Sequence, residues 1–183
     1  KNITLPLAGN ELINNNLRVI WNQTSINVES FGKNILKLNS AIVHDLMFKA
    51  VWWELIVAHE IVKTIKFKEM FLGFELNFKS DKNTTKNEID ILINTGKKLI
   101  FIECKSGLVK QEDINKMKIV KQTYGGVIAK SILVCRELPN PSIVEKCNEL
   151  DIELFYSIAL NKEVNPINKL IELINDLENK ASM

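Results

Sequence analysis

Asn87-Glu88-Ile89-Asp90-Ile91-Leu92-Ile93, Asn94-Thr95-Gly96-Lys97, then Leu99-Ile100-Phe101-Ile102-Glu103-Cys104-Lys105: this stretch decides how the chain reads. The two flanks are Ile-rich runs of strand length, and Thr95-Gly96 between them is hairpin-turn chemistry. Side chains alternate across a strand. Ile89, Ile91 and Ile93 therefore share one face, and Glu88, Asp90 and Leu92 the other. In the second run Ile100, Ile102 and Cys104 oppose Leu99, Phe101, Glu103 and Lys105. A slip of one residue would turn every side chain over, so the apolar faces must align. Any register that aligns them puts Asp90 on the face of Glu103 and Lys105, with Glu103 opposite it or one diagonal step away.

Two carboxylates this close repel unless a cation lies between them. A divalent ion with oxygen ligands satisfies both. Lys105, two residues on, is placed to orient a water and to offset charge developing on a phosphate. Three charges on a hairpin are more often a solvated salt-bridge cluster. Both runs are otherwise apolar on both faces, which argues for burial.

A helix adds a fourth charge. Residues 48 to 65 have helical length, and at about 100° per residue Ala50, Val57, Ala58, Ile61 and Ile65 form one stripe. His59, Glu60 and Lys63 fall away from it, but Glu54 lies within it. A carboxylate turned to a core is costly unless paired or metal-bound. Trp52 and Trp53 read as packing residues. His59-Glu60 opens a His-Glu-x-x-His pattern, but position 63 is Lys, which excludes that zinc-protease signature.

At 183 residues, 46% of them hydrophobic, the chain has the size of one domain, or one domain and an appendage. The formal charge of +2 is small. From Lys79 to Lys121, however, ten lysines surround six acids, three of which are Glu88, Asp90 and Glu103. Basic surroundings to an acidic centre suit a phosphate substrate. Cys104, Cys135 and Cys147 are odd in number and have no CxxC spacing. They read as buried thiols of a cytoplasmic protein. A cysteine nucleophile would need a His partner, and His44 and His59 lie in no such motif. No signal peptide or membrane-length apolar run is apparent. There is no Lys-Ser/Thr after Gly125-Gly126 to make a phosphate loop.

Residues 1–33 are expected to be a linker or appended element, with a short helix around Glu11 to Trp21, and residues 34–183 the main domain. Asn34 to Leu38 reads as a strand, Ser40 to Ile65 as helical, Phe71 to Lys79 as a half-buried strand and Ser80 to Lys86 as a polar turn. A helix over Gln111 to Tyr124 should end at Gly125-Gly126. Val127 to Cys135 and Ile152 to Tyr156 read as strands. Asn140-Pro141 and Asn165-Pro166 are helix starts, the second leading into an apolar stripe of Ile167, Leu170, Ile171, Ile174 and Leu177.

The order is helix, three strands, helix, strand, with Glu54 on the first helix, Asp90 on the second strand and Glu103-x-Lys105 on the third. This pattern over residues 40 to 135 resembles the PD-(D/E)XK nuclease superfamily. A restriction-endonuclease-like α/β core of order αβββαβ, its mixed central sheet flanked by helices, is thereby implied. Trp52-Trp53-Glu54, Asn87-Glu88-Ile89-Asp90-Ile91 and Ile102-Glu103-Cys104-Lys105-Ser106-Gly107 further resemble the nuclease domain of CRISPR ancillary effectors that carry a CARF sensor domain. A missing upstream sensor half would accord with the non-Met start.

The resemblance implies a metal-dependent endonuclease acting on DNA or RNA, in antiviral defence, as a homodimer. It assigns Mg²⁺ or Mn²⁺ to Asp90, Glu103 and the Cys104 carbonyl. Glu54 would serve the metal's outer shell or a second ion, and Lys105 the attacking water. Gln122 and Tyr124 are similar to a Gln/Tyr helix element of RecB-like members, although Tyr124 also fits helix-end packing. The competing expectations are a non-catalytic nucleic-acid-binding or scaffold domain with a relic site, and a processing helper that cuts only within a larger complex.

Overall fold

The computed structural model describes residues 8–14, 16–40, 43–76 and 87–179. The chain divides into two compact units, Lys1–Trp52 and Trp53–Met183. The polar turn expected over residues 80–86, and Phe78, lie outside the described residues.

The first unit is a four-stranded antiparallel meander of β1 (Gly9–Asn14), β2 (Leu17–Trp21), β3 (Ser25–Ser30) and β4 (Lys33–Asn39). The helix expected around Glu11 to Trp21 is therefore wrong. Leu17, Val19 and Trp21 alternate with Arg18 and Ile20, and the antiparallel β1–β2 ladder pairs the two halves of that segment with each other. Short β-branched runs favour this outcome once a cross-strand partner is available. Phe31-Gly32, both at positive φ (49° and 71°), make the β3–β4 turn. The helical region is broken as well. Helix α1 (Val43–Phe48) and helix α2 (Val51–Thr64) are separated at Ala50, whose φ of 64° cannot continue a helix.

The second unit is built on a five-stranded mixed sheet in the order β5 (Glu69–Leu76), β6 (Asn87–Asn94), β7 (Leu99–Lys105), β8 (Lys130–Glu137), β9 (Glu153–Ile158). The first three strands are antiparallel, and β7, β8 and β9 are parallel. Each parallel step needs a crossover helix. These are α3 (Gln111–Val120), which runs on into a π-helical turn (Lys121–Gly125), and α4 (Pro141–Glu149). Helix α4 starts as its Asn-Pro signal predicts: Asn140 Oδ1 accepts from the Ile143 amide at 3.0 Å, with Pro141 in the first turn. α5 (Asn168–Asn179) buries Leu170, Ile174 and Leu177. This is the αβββαβ order the sequence implies, from α2 through β8, with β9 and two further helices appended.

One side of the sheet packs Leu133 and Cys135 against Ile114 and Met117 of α3 and Ile143 and Cys147 of α4. On the other side Ile91, Ile93, Ile100, Ile102, Ile132 and Val134 are all buried. The Trp53 indole donates to the Val134 carbonyl at 3.1 Å, which fixes α2 to the sheet and makes Trp53 the packing residue it was expected to be. Lys98 is buried, with its ammonium on the Leu177 carbonyl at 2.8 Å. A cation on the last carbonyls of α5 is the favourable end of the helix dipole. All three cysteines are free and buried. Among the described residues, no helix is long and apolar enough to cross a membrane.

Strand β5 departs from strict alternation. Phe71 and Leu72 are both exposed, while Phe74 and Leu76 are half-buried. β5 is the edge strand, and Gly73 at φ 56° interrupts its pleat.

Candidate active site

The hairpin closes as its turn residues require. Thr95 N–H donates to the Lys98 carbonyl at 3.1 Å, Gly96 N–H to Asn94 Oδ1 at 2.9 Å, and Gly96 has φ 88°. This turn sets a register in which Ile91 opposes Ile102 and Leu92 opposes Phe101. One further step would set Asp90 against Glu103, but the ladder ends at Ile91. Beyond that point Asp90 uses its side chain instead: Oδ2 accepts from the Cys104 backbone N–H at 2.6 Å. The local release has a second effect. Ile89, placed by alternation with Ile91 and Ile93, joins the cluster of Leu92, Phe101, Val120 and Ala129.

Glu103 is 5% exposed and both of its oxygens are engaged. Oε1 lies 3.0 Å from Lys105 Nζ, and Oε2 lies 3.6 Å from Lys116 Nζ on α3. Lys105 also reaches Asp113 Oδ1 at 3.1 Å, in the first turn of α3. The chain of charges runs Asp113, Lys105, Glu103, Lys116, alternating in sign.

The electrostatics tie in the remaining two acids. Burial, then the Glu103 carboxylate, pushes Asp90 up to about 7; the Cys104 N–H opposes that, Glu54 adds to it and Lys105 reduces it. Glu54 is raised by burial and by Glu88 and Glu103, with Lys105 acting the other way. Burial would lower Lys105, but ion pairing with Glu103 and Asp113 outweighs it and holds the ammonium above its ordinary range. Burial, with the Asp90 carboxylate next, holds the Cys104 thiol well above its ordinary value, so its sulfur is no nucleophile.

Of the residues singled out in the sequence, Glu54, Asp90, Glu103, Cys104 and Lys105 are thus brought into one electrostatic neighbourhood. Tyr124 packs against the cluster around Phe101, the helix-end role already open to it. Asp113 and Lys116 were missed as site residues. The one signal in the sequence is their i, i+3 spacing, which puts Asp113 and Lys116 on one face of α3.

Among the described residues, no three His, Cys, Asp or Glu side chains are grouped as a ready metal site. The arrangement accounts for that, since Glu103 is turned onto two lysines. The donor set still fits a hard cation. It consists of carboxylate oxygens, and two of the carboxyls, Asp90 and Glu54, hold protons more tightly, through burial first and neighbouring acids second.

Two solved structures share the fold. Protein VC1899 from Vibrio cholerae matches with a TM-score of 0.58 and 18% identity, over 77% of this chain and 36% of that one. Can2 from Sulfobacillus thermosulfidooxidans, in complex with cyclic tetra-adenylate, matches with a TM-score of 0.56 and 16% identity, over 79% of this chain and 40% of that one. The chain thus corresponds to well under half the length of either. The fold, a mixed five-stranded sheet flanked by helices, is restriction-endonuclease-like. Residues 51–155, more than half of the chain, match the family described as a domain of unknown function (DUF4143), and the chain belongs to that family. No curated protein matches.

Proposed function

We propose that this domain is a divalent-metal-dependent nuclease that hydrolyses phosphodiester bonds of DNA or RNA, as an effector part of a CRISPR or other defence system. The observation that carries the reading is the convergence of Asp90, Glu103 and Lys105, from paired strands, with Glu54 from α2 in the same field. The similarity to Can2 is in keeping with it at the level of fold.

Asp90 and Glu103, with the Cys104 backbone carbonyl, would hold Mg²⁺ or Mn²⁺, and Glu54 would orient its water shell or a second ion. A cation bound there supplies a Lewis acid for a phosphate oxygen and a water of lowered pKa. Lys105 is positively charged throughout the neutral range. Its ammonium orients the attacking water and faces the negative charge that builds on the phosphoryl oxygens during in-line attack. The buried setting of Glu103 strengthens each of these interactions over its value in water.

The test is digestion of single-stranded and duplex DNA and RNA, side by side, with Mn²⁺ or Mg²⁺. Wild-type protein should cut at least one of the four substrates. Asp90→Ala and Lys105→Ala should each lose cutting by on the order of 100-fold or more while remaining folded. Cutting by either variant at the wild-type rate removes the assignment. A relic domain would cut nothing and would show no metal-induced rise in melting temperature.

A further inference from the structure

The sheet does not hold the two charged residues of β7 by itself. Glu103 and Lys105 are two residues apart, roughly 7 Å along a strand. Asp113 and Lys116 are three apart, with Cβ atoms roughly 5–6 Å apart on one helical face. The two spacings nearly match, so α3 lays one opposite charge against each strand residue: Asp113 on Lys105 at 3.1 Å and Lys116 on Glu103 at 3.6 Å.

The two contacts are unequal. Asp113 is itself fixed: its other oxygen, Oδ2, accepts from the Lys110 N–H at 2.8 Å and caps the start of α3. Lys116 has a longer contact and is a third exposed. A cation drawn to Glu103 must displace both lysines from it. Lys116 can swing away into solvent, whereas Lys105 is retained by Asp113.

We propose that Asp113 is the positioning residue of this site. It keeps Lys105 beside the reacting phosphate when Glu103 is taken over by metal, and it neutralises enough of the ammonium charge for the cation to enter. The inference rests on the nuclease reading above and adds a residue of α3 to it. Lys116 plays the complementary part of a releasable counter-ion.

Asp113→Asn separates this role from a structural one. Asn keeps an oxygen to cap Lys110 N–H, so α3 retains its start, but it presents an NH₂ group to the Lys105 ammonium. The measurement is Mn²⁺ affinity by titration calorimetry in four proteins: wild type, Asp113→Asn, Lys105→Met and the double variant. Asp113→Asn should weaken Mn²⁺ binding by about 10-fold in the wild-type background. In the Lys105→Met background it should change binding by no more than about twofold, because the charge it neutralises is gone. In cleavage, Asp113→Asn should lower kcat by about 10-fold with little change in KM.

Equal losses of affinity in both backgrounds would show a general structural role and overturn the proposal. So would wild-type Mn²⁺ affinity in Asp113→Asn. Failure of wild-type protein itself to bind Mn²⁺ would overturn the nuclease reading, and this inference with it.

Discussion

Asp90→Asn should make the metal-free protein more stable at pH 8. The folded Asp90 carboxyl sits at about 7 against an ordinary 3.8, with burial the first cause and Glu103 the next. Its folded value is raised, so folding favours the protonated form. The contribution is fully present below about pH 4, where the acid is protonated in both states. It is lost progressively as pH rises to about 7, and above that the full penalty stands. The gap is roughly three units at about 1.4 kcal/mol each, which gives an upper bound of about 4 kcal/mol. Asn is isosteric and carries an oxygen that can still accept from the Cys104 N–H, so only the charge is removed. Allowing for the polar group that remains buried, we expect a gain of about 2–4 kcal/mol at pH 8 in EDTA, on the order of 5–10 °C in melting temperature. At pH 4 the two proteins should melt together. Wild type should lose stability between these pH values relative to the variant. Saturating Mg²⁺ or Mn²⁺ should restore the wild type and leave Asp90→Asn unchanged. A variant less stable than wild type in EDTA at pH 8 would refute the electrostatic reasoning, because burial of the charge, with the Glu103 carboxylate next, would then not be the dominant effect at position 90.

The scaffold yields two more expectations. Trp53→Phe keeps most of the buried ring but removes the indole donor to the Val134 carbonyl, and should cost about 0.5–1.5 kcal/mol in denaturant unfolding with no change in slope. Gly125→Ala would drive a methyl group into the Ala129 Cβ and the Phe101 ring at the end of the π-helical turn. Overpacking there should cost about 1–3 kcal/mol, and a neutral or stabilising result by thermal melting would show that the α3 end can move away from the sheet.

The second unit was legible because its signals are local and redundant. Ile-rich alternation, the Thr95-Gly96 turn and the Asn140-Pro141 start each specify one element, and none contradicts its neighbour. Alternation failed where a ladder ends. Ile89 and Asp90 lie beyond the last β6–β7 pair, and there a hydrogen bond from the Cys104 N–H to the Asp90 side chain replaces the ladder. Residues 9–21 failed for a different reason. Short polar and apolar residues there satisfy either period weakly, and the strand outcome depends on β2 pairing with both β1 and β3, which propensity does not register. Ala50 gave no warning of its left-handed conformation, since nothing in an Ala-Val-Trp-Trp run marks a helix break. Asp113 and Lys116 were invisible as partners for Lys105 and Glu103 because their role exists only once the crossover helix lies over β7.

The nuclease and relic readings differ in what they make of the energetics. A domain selected for stability alone has an inexpensive remedy at position 90: an amide keeps the hydrogen bond to Cys104 and removes the repulsion. The chain instead carries Asp90 and Glu54, both raised by burial and by neighbouring acids, beside a nearly inaccessible Glu103. Its two lysine contacts offset part of Glu103's charge, yet the neighbouring acids still drive each other toward protonation. Buried charge left in this condition costs stability unless something outside the chain completes it. On the proposed reading a divalent cation would do so with the oxygen donors already present, and Lys105, once displaced from Glu103, would then have a negative phosphate to face. On the relic reading that cost has no return. This physical asymmetry favours hydrolysis over a scaffold role, and the pH 8 stability of Asp90→Asn, with and without metal, measures it directly.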